Sequence, residues 1–321
     1  MLFILILLYI MNNLYIITLA TSKTNAVDNF ILSCKTNNLK YKIIGLNEKF
    51  HGWRWRMKKY LNEMKNYNDN DIIILCDSYD MLIQDNEKNI INKFKLLKKS
   101  VIISAEMNLL LPAELKQFGI TPLSLTYNKF PKHKNSDYRY PCLGGVIGYK
   151  KSLEELYKIM LSFNDSELQN DCFHDDQCLF SYYYLKFKNK NFTLDYNQTI
   201  FGNLSGSLNR YQFKNRKLQN NYTNTTPSIL HFQGNALSAY NELMIPLGYK
   251  EIDTKVDIIP FNKSKTIKRY FDKYQEFCWE NIFQTYNNFN NNDILFYKIL
   301  NNLLIILILF LIIKLYKKII N

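Results

Sequence analysis

Two aspartates close a strongly apolar run in this 321-residue sequence, which reads IIILCDSYDMLI from Ile72 to Ile83. Asp77 and Asp80 lie three positions apart, and burying two carboxylates among apolar neighbours is costly unless a cation neutralises them. Oxygen ligands favour a hard divalent ion, Mn²⁺ or Mg²⁺, which often brings phosphates with it. The same letters also suit an ordinary capped turn, because Asp and Ser are common in turns. The residues alone leave both interpretations open.

Two further groups could share that chemistry. Asp175 and Asp176 form an acidic pair, which is also typical of a helix N-terminus. His231 ends a short apolar strand and is followed by Gly234. A lone histidine is usually a satisfied polar residue, but one at a strand end after two acidic groups is a candidate metal ligand. The sequence has no P-loop, GxGxxG or nucleophile elbow, which disfavours P-loop NTPases, dinucleotide oxidoreductases and nucleophilic hydrolases.

Apolar β-rich runs alternate with helical patterns through the body of the chain. The predicted strands are Tyr15–Ala20, Tyr41–Gly45, Asp71–Cys76 and Val101–Ser104. The predicted helices are Asp28–Asn37, Arg56–Lys65, Glu87–Leu97, Ser152–Phe163 and Asp176–Phe187, with Asp28 and Ser152 as N-caps. Strands that are apolar throughout are typical of a parallel sheet covered by helices on both faces. We therefore expect an open α/β fold of the nucleotide-binding kind, with its ligand at the carboxyl ends of the strands.

Composition narrows the class of protein further. The chain is 47% hydrophobic and 21% charged, which excludes wholesale disorder. Its formal charge of +13 accompanies an excess of Lys, Asn, Ile, Tyr and Phe, the joint bias of an AT-rich genome. The segment His51–Arg56 (HGWRWR) offers some support for nucleic-acid binding, but no long basic cluster is present, so nucleic acid is disfavoured as a partner. The six cysteines form no CxxC pair and no zinc-site spacing.

Both ends of the chain are apolar. Leu2–Ile10 matches a signal-peptide core, and Leu295–Tyr316 is long enough to cross a bilayer with lysines at its ends. These patterns predict a lead-in over 1–13, a folded α/β domain over 14–245, an extension and linker over 246–293, and a membrane anchor over 294–316. A lumenal position of the folded domain is favoured over a tail-anchored cytosolic one, because the lysines beyond the anchor would then stay cytosolic.

Seven motifs, in order from about residue 14 to 240, resemble the glycosyltransferase domain at the amino end of procollagen lysyl hydroxylases. The last of them also looks like the closing metal-histidine motif of glycogenin-like transferases. The matching segments are Ile16–Thr21 (IITLAT), Asp77–Asp80 (DSYD), Ser104–Glu106 (SAE), Tyr140–Gly148 (YPCLGGVIG), Asp175–Gln177 (DDQ), Leu194–Phe201 (LDYNQTIF) and His231–Gly234 (HFQG). Each motif alone is weak, but seven in sequence are specific. The resemblance implies a GT-A fold.

The resemblance also implies roles for individual residues. Asp77, Asp80 and His231 would hold Mn²⁺ or Mg²⁺, and a UDP-sugar would be the donor. The donor-binding residues would be Tyr79, stacking on uracil, Thr18, through the strand backbone, Arg56, near the phosphates, and Gln233. Asp175 and Asp176 would face the sugar and the acceptor. The chain departs from the family at Cys142-Leu143, which replace Asn-Ser, and at Phe232-Gln233, which replace Gly-Asn.

The expected function is metal-dependent transfer of glucose or galactose from a UDP-sugar to a hydroxyl acceptor, with hydroxylysine or galactosyl-hydroxylysine of a collagen-like protein as the acceptor the resemblance suggests. The alternative is an inactive GT-A-fold membrane protein that binds glycans or acts as a scaffold. Intact Asp77, Asp80 and His231 favour the enzyme. The expected partners are therefore a UDP-sugar, a protein or glycan acceptor, and a membrane.

Overall fold

The fold is taken from a computed structural model that describes residues 12–109, 130–163, 176–187 and 189–254. All of them belong to the first of the two units into which the chain divides, Met1–Val256. The strands are β1 (Leu14–Leu19), β2 (Lys40–Ile44), β3 (Ile72–Asp77), β4 (Met81–Ile83), β5 (Val101–Glu106), β6 (Tyr140–Tyr149), β7 (Phe192–Leu194), β8 (Phe201–Asn203), β9 (Tyr211–Lys214), β10 (Lys217–Asn220) and β11 (Ile229–His231). The α-helices are α1 (Asn25–Thr36), α2 (Trp53–Met64), α3 (Glu87–Leu96), α4 (Lys150–Ser162), α5 (Asp176–Phe187) and α6 (Tyr240–Met244).

Six strands form a central sheet in the order β2-β1-β3-β6-β5-β7. The pairs β1–β2, β1–β3 and β5–β7 are parallel, whereas β6 is antiparallel to both β3 and β5. Five strands therefore run in one direction and only β6 opposes them. A second sheet, β4-β11-β8, and the two-stranded hairpin β9–β10 complete the strand pairing of the described residues. The expected open, mostly parallel α/β sheet is confirmed, with β6 as an antiparallel exception.

Alternating residues of the central strands pack on opposite faces of the sheet. Ile73 and Leu75 belong to a core with residues of α2, α4 and α5, while Ile72 and Ile74 belong to a core with residues of α1 and α3. This two-sided burial explains why β3 is apolar at every position. The parallel pairing of β1 with β2 and with β3 brings the carboxyl ends of these three strands to one edge, where Asp77 ends β3.

The predicted helices and strands are confirmed to within a few residues, but both predicted N-caps are wrong. The N-cap of α1 is Thr24, whose hydroxyl accepts a hydrogen bond from Val27 N, so Asp28 lies inside the first turn. Helix α4 begins at Lys150, directly after β6, which places Ser152 inside the helix. In both cases the helix begins before the predicted cap: α1 is capped by Thr24, and α4 follows β6 without an intervening turn.

Most of both chain ends lies outside the described residues. The predicted lead-in is described only from residue 12, and the predicted anchor at 294–316 lies outside the described residues. Within the described ranges, no helix combines the length and apolar character needed to cross a membrane. Cys34, Cys76 and Cys142 are buried free thiols, and Cys178 is disulfide-bonded.

A buried carboxylate after β4 links the second sheet to helix α3 and strand β10. Asp85 follows β4 with its side chain only 4% exposed, and it accepts hydrogen bonds from Lys93 Nζ (2.6 Å), Lys217 Nζ (2.6 Å) and Ser228 Oγ (2.9 Å). Burial opposes ionisation of Asp85, but the two lysines outweigh it and hold the pKa of this carboxyl below its usual value.

Asp85→Ala is expected to lower the free energy of unfolding by about 2–3 kcal/mol, measured by urea denaturation, because it removes the carboxylate that neutralises two partly buried lysines. Asp69→Ala, which removes an exposed partner of Lys150, should cost less than about 1 kcal/mol. Since the folded pKa of Asp85 is lowered, its contribution is present above about pH 4 and fades as the pH falls further. If both substitutions lowered the free energy of unfolding equally at pH 7, the buried Asp85 would stabilise the fold no more than an exposed salt bridge does.

Candidate metal and donor site

Strand pairing brings together the aspartates and the histidine that the sequence separates. Asp77 ends β3 and Asp80 precedes β4, while His231 ends β11 and lies opposite Met81 in the antiparallel β4–β11 pair. The N–H of Phe232 also donates to the carbonyl of Asp80 at 2.8 Å. The second sheet thus carries His231 to the aspartates across 151 residues of sequence.

One ligand atom from each of Asp77, Asp80 and His231 lies within 4.8 Å of the others. His231 Nε2 is 3.2 Å from Asp80 Oδ2 and 3.9 Å from Asp77 Oδ2. The other oxygen, Asp80 Oδ1, is buried and has no hydrogen-bond partner in the part of the chain that the structure describes. Burying a carboxylate oxygen without a hydrogen-bond donor costs free energy, and a cation bound to Asp80 Oδ1 would offset that cost. Two carboxylates and an imidazole fit a divalent metal.

The charges around His231 also favour a cation at this point. Its ring is 3% exposed, and burial alone would disfavour the protonated imidazole. The Asp80 carboxylate beside it outweighs burial and raises the pKa of His231 well above its usual value. The acidic pair therefore attracts positive charge to this point, as a metal site must.

Strand β6 passes directly against these residues. A Cβ added at Gly144 would lie 2.2 Å from His231 Cε1 and 3.0 Å from Asp77 Oδ2. One added at Gly145 would lie 2.6 Å from the ring of Phe201. The Gly-Gly pair of the YPCLGGVIG motif is therefore a steric requirement of the site, because any side chain at position 144 would displace His231.

Arg56 lies between Asp176 and one of the metal candidates, Asp77, and contacts both. Arg56, in the first turn of α2, donates from Nη1 to Asp77 Oδ1 (2.5 Å) and from Nη2 to Asp176 Oδ2 (2.5 Å). Its guanidinium also lies over the ring of Trp53, 4.5 Å from the centroid. The buried cation holds one aspartate from each of two elements at the edge of the site. Asp175, the other predicted catalytic residue, lies outside the described residues.

Tyr79 and Thr18 occupy different positions. Tyr79 is 37% exposed, and its hydroxyl accepts from the backbone N–H groups of Thr21 (3.0 Å) and Ser22 (3.1 Å), just beyond β1. Thr18 is fully buried inside β1, where its hydroxyl donates to the carbonyl of Cys76 at 2.7 Å. Tyr79 thus offers an accessible aromatic face beside the aspartates, and Thr18 helps to hold β1 against β3.

Gln233 lies behind His231. Its amide nitrogen donates to Asn203 Oδ1 at 2.8 Å, and its Oε1 is buried without a partner among the described residues. Asn203 itself was not predicted as a site residue. The only sequence signal for it is its place two positions after the LDYNQTIF motif, whose Asp195 accepts from the backbone N–H groups of Ile200 (2.7 Å) and Phe201 (2.8 Å) and so shapes the turn into β8.

An α/β sheet with an acidic pair at a strand end and a histidine brought beside it suits a glycosyltransferase-type domain, and the family model described as "PLOD GT domain" matches residues 10–246. The chain belongs to this family.

Several relatives are similar over the same region. An uncharacterised protein of Acanthamoeba polyphaga mimivirus is 24% identical over 237 residues, covering 71% of this chain and 47% of that protein. Procollagen-lysine,2-oxoglutarate 5-dioxygenase 1 of Gallus gallus is 26% identical, covering 69% of this chain and 30% of the relative. The multifunctional procollagen lysine hydroxylase and glycosyltransferase LH3 of Pongo abelii is also 26% identical, covering 74% and 32%. The chain thus spans less than half of each relative.

Among solved structures, a glycosyltransferase involved in the glycosylation of the major capsid of PBCV-1 is similar with a TM-score of 0.43 and 11% identity. The match covers 72% of this chain and 98% of that one.

Proposed function

We propose that this protein is a metal-dependent glycosyltransferase that moves glucose or galactose from a UDP-sugar to a hydroxyl acceptor. The observation that carries the proposal is the Asp77, Asp80 and His231 group, with its buried and unpartnered Asp80 Oδ1, in a chain of the PLOD GT domain family. The proposed acceptor is hydroxylysine or galactosyl-hydroxylysine of a collagen-like protein. The donor sugar and the acceptor come from the family resemblance.

The residues of the site would have distinct roles in binding the metal and the donor. Asp77, Asp80 and His231 would hold Mn²⁺ or Mg²⁺, which when bound supplies Lewis-acid stabilisation of the diphosphate leaving group. Tyr79, with its exposed ring beside the aspartates, would stack on uracil. Arg56 is a buried cation in contact with Asp77, and it would add positive charge where the leaving diphosphate becomes more negative.

Asp176 is the proposed contact to the sugar or acceptor, together with Asp175. Arg56 Nη2 donates to Asp176 Oδ2 and so fixes this carboxyl group at the edge of the site. A carboxyl group held there can orient an acceptor hydroxyl or take its proton. The membrane anchor at 294–316 and a lumenal catalytic domain remain part of the proposal, and they rest on the sequence pattern alone.

The test is a donor panel with the purified full-length protein. We expect UDP release from UDP-glucose or UDP-galactose only when Mn²⁺ or Mg²⁺ is present, and faster release when hydroxylysine or galactosyl-hydroxylysine is added. Calorimetry should show that UDP binds only together with the metal. Binding without turnover would favour the glycan-binding alternative, and the absence of both binding and turnover would overturn the proposal.

A further inference from the structure

We propose that Asn203 is the positioning residue that orients the His231 imidazole for metal binding, a role that rests on the proposed function. His231 Nδ1 is 3.1 Å from Asn203 Oδ1, and His231 Nε2 is 3.2 Å from Asp80 Oδ2. A carboxamide oxygen can only accept a hydrogen bond, so Nδ1 must carry the proton. The nitrogen left to coordinate a cation is then Nε2, which faces both aspartates.

The orientation of the Asn203 amide is determined by its other partners. Its Nδ2 donates to Ser104 Oγ (2.6 Å) and to the carbonyl of Ala105 (2.6 Å), and a carbonyl can only accept. Its Oδ1 also accepts from Gln233 Nε2 at 2.8 Å. Turning the amide over would set its oxygen against the Ala105 carbonyl and its NH₂ group against the Gln233 amide. Asn203 therefore presents an acceptor, and not a donor, to His231.

The backbone of Asn203 is held as firmly as its side chain. Asn203 is fully buried and is paired with His231 in the parallel β8–β11 register. Its N–H donates to Gln198 Oε1 at 2.6 Å, and Gln198 Nε2 donates to the Ala105 carbonyl at 2.8 Å. A residue fixed in this way restricts rotation of the His231 ring, which is how outer partners of metal-binding histidines act.

The neighbouring Cys142 is a weaker candidate for the same role. Its Sγ lies 3.6 Å from His231 Nδ1, and sulfur is a poor hydrogen-bond acceptor. The shorter contact to Asn203, through an oxygen, is the one that determines which ring nitrogen carries the proton. Ser104 and Ala105 of the SAE motif therefore hold the side-chain amide of Asn203, which in turn contacts His231.

The first measurement uses the unchanged full-length protein loaded with Co²⁺. Proton NMR should show a hyperfine-shifted, slowly exchanging N–H signal from His231 Nδ1, assigned by its loss in His231→Gln. A metal-bound His231 with its proton on Nε2, or an Nδ1 proton that exchanges freely with water, would overturn the proposal.

The second measurement compares Mn²⁺ affinity by electron paramagnetic resonance in Asn203→Leu and in a matched control, Asn220→Leu. Asn220 is equally buried, and its amide is also hydrogen-bonded, to the Tyr138 hydroxyl and to the backbone N–H groups of Tyr222 and Thr223, none of which is a metal candidate. Asn203→Leu should weaken Mn²⁺ binding about 10- to 100-fold and accelerate exchange of the Nδ1 proton. Equal losses in both variants, or no loss in Asn203→Leu, would reduce Asn203 to a structural role.

The two hypotheses fail in different ways. If the unchanged protein binds neither Mn²⁺ nor Co²⁺, the proposed function fails. Metal-free protein labelled with ¹⁵N-histidine then still tests Asn203, because protection of the Nδ1 proton must fall in Asn203→Leu if the amide holds the ring. If Mn²⁺ binds normally in that variant, the proposed function stands and the positioning role fails.

Discussion

Asp77→Ala and Asp80→Ala are each expected to abolish metal-dependent sugar transfer while leaving the protein folded. Each substitution removes one carboxylate from a site in which the three ligand atoms lie within 4.8 Å of one another. A metal contributes several kcal/mol to such a reaction, and about 1.4 kcal/mol corresponds to a factor of ten, so turnover should fall at least about a thousandfold. The measurement is UDP release at saturating Mn²⁺, with circular dichroism and urea denaturation to establish folding.

The fold should tolerate these substitutions for a specific reason. Asp80 Oδ1 has no hydrogen-bond partner among the described residues, and removing either carboxylate relieves repulsion between the pair. After Asp77→Ala, Arg56 retains its contact with Asp176. His231→Ala should reduce activity less, because water can replace one neutral ligand.

The matched control is Asp69→Ala, which removes an exposed carboxylate 60% accessible to solvent and paired with Lys150. Its turnover and Mn²⁺ dependence should match the unchanged protein. Near-normal turnover with Mn²⁺ in Asp77→Ala or Asp80→Ala would remove that residue from the metal site.

Gly144→Ala is expected to lower Mn²⁺ affinity at least about 100-fold. This exceeds the loss of about 10- to 100-fold that is usual when a residue contacting a metal ligand is replaced. The added methyl would lie 2.2 Å from His231 Cε1 and 3.0 Å from Asp77 Oδ2, so the imidazole must move away from the aspartates. Overpacking of this kind costs about 1–3 kcal/mol of stability. Mn²⁺ titration and urea denaturation measure the two effects.

A double-mutant cycle separates the clash from general strain. In a His231→Ala background the ring is gone, so Gly144→Ala should cost less stability, with a coupling of about 1–2 kcal/mol. Gly248→Ala is the control: nothing lies within 4 Å of an added Cβ there, and its φ of +94° makes it a strained but remote substitution. It should leave Mn²⁺ affinity unchanged. Additive effects of Gly144→Ala and His231→Ala would refute the contact.

The hydrophobic pattern of the sequence alone determined many of the helices and strands of this protein. The unbroken apolar run of β3 predicted a strand buried on both faces, and Asp77 and Asp80 followed at its carboxyl end. The helices were predictable because each buries one face at helical spacing. In the same way, the apolar residues before His231 predicted the short strand β11.

Only the tertiary structure decided how these pieces combine. The position of β6 between β3 and β5 was not predictable, because a strand with three glycines and a proline has weak local β-propensity and is stabilised by its neighbours. The contact of Gly144 with His231, the salt bridges of Arg56 to Asp77 and Asp176, and the amide of Asn203 behind His231 all join residues from distant parts of the chain. Composition and periodicity report local preference, whereas the contact across 151 residues depends on which strands become neighbours when the sheet packs between its two cores.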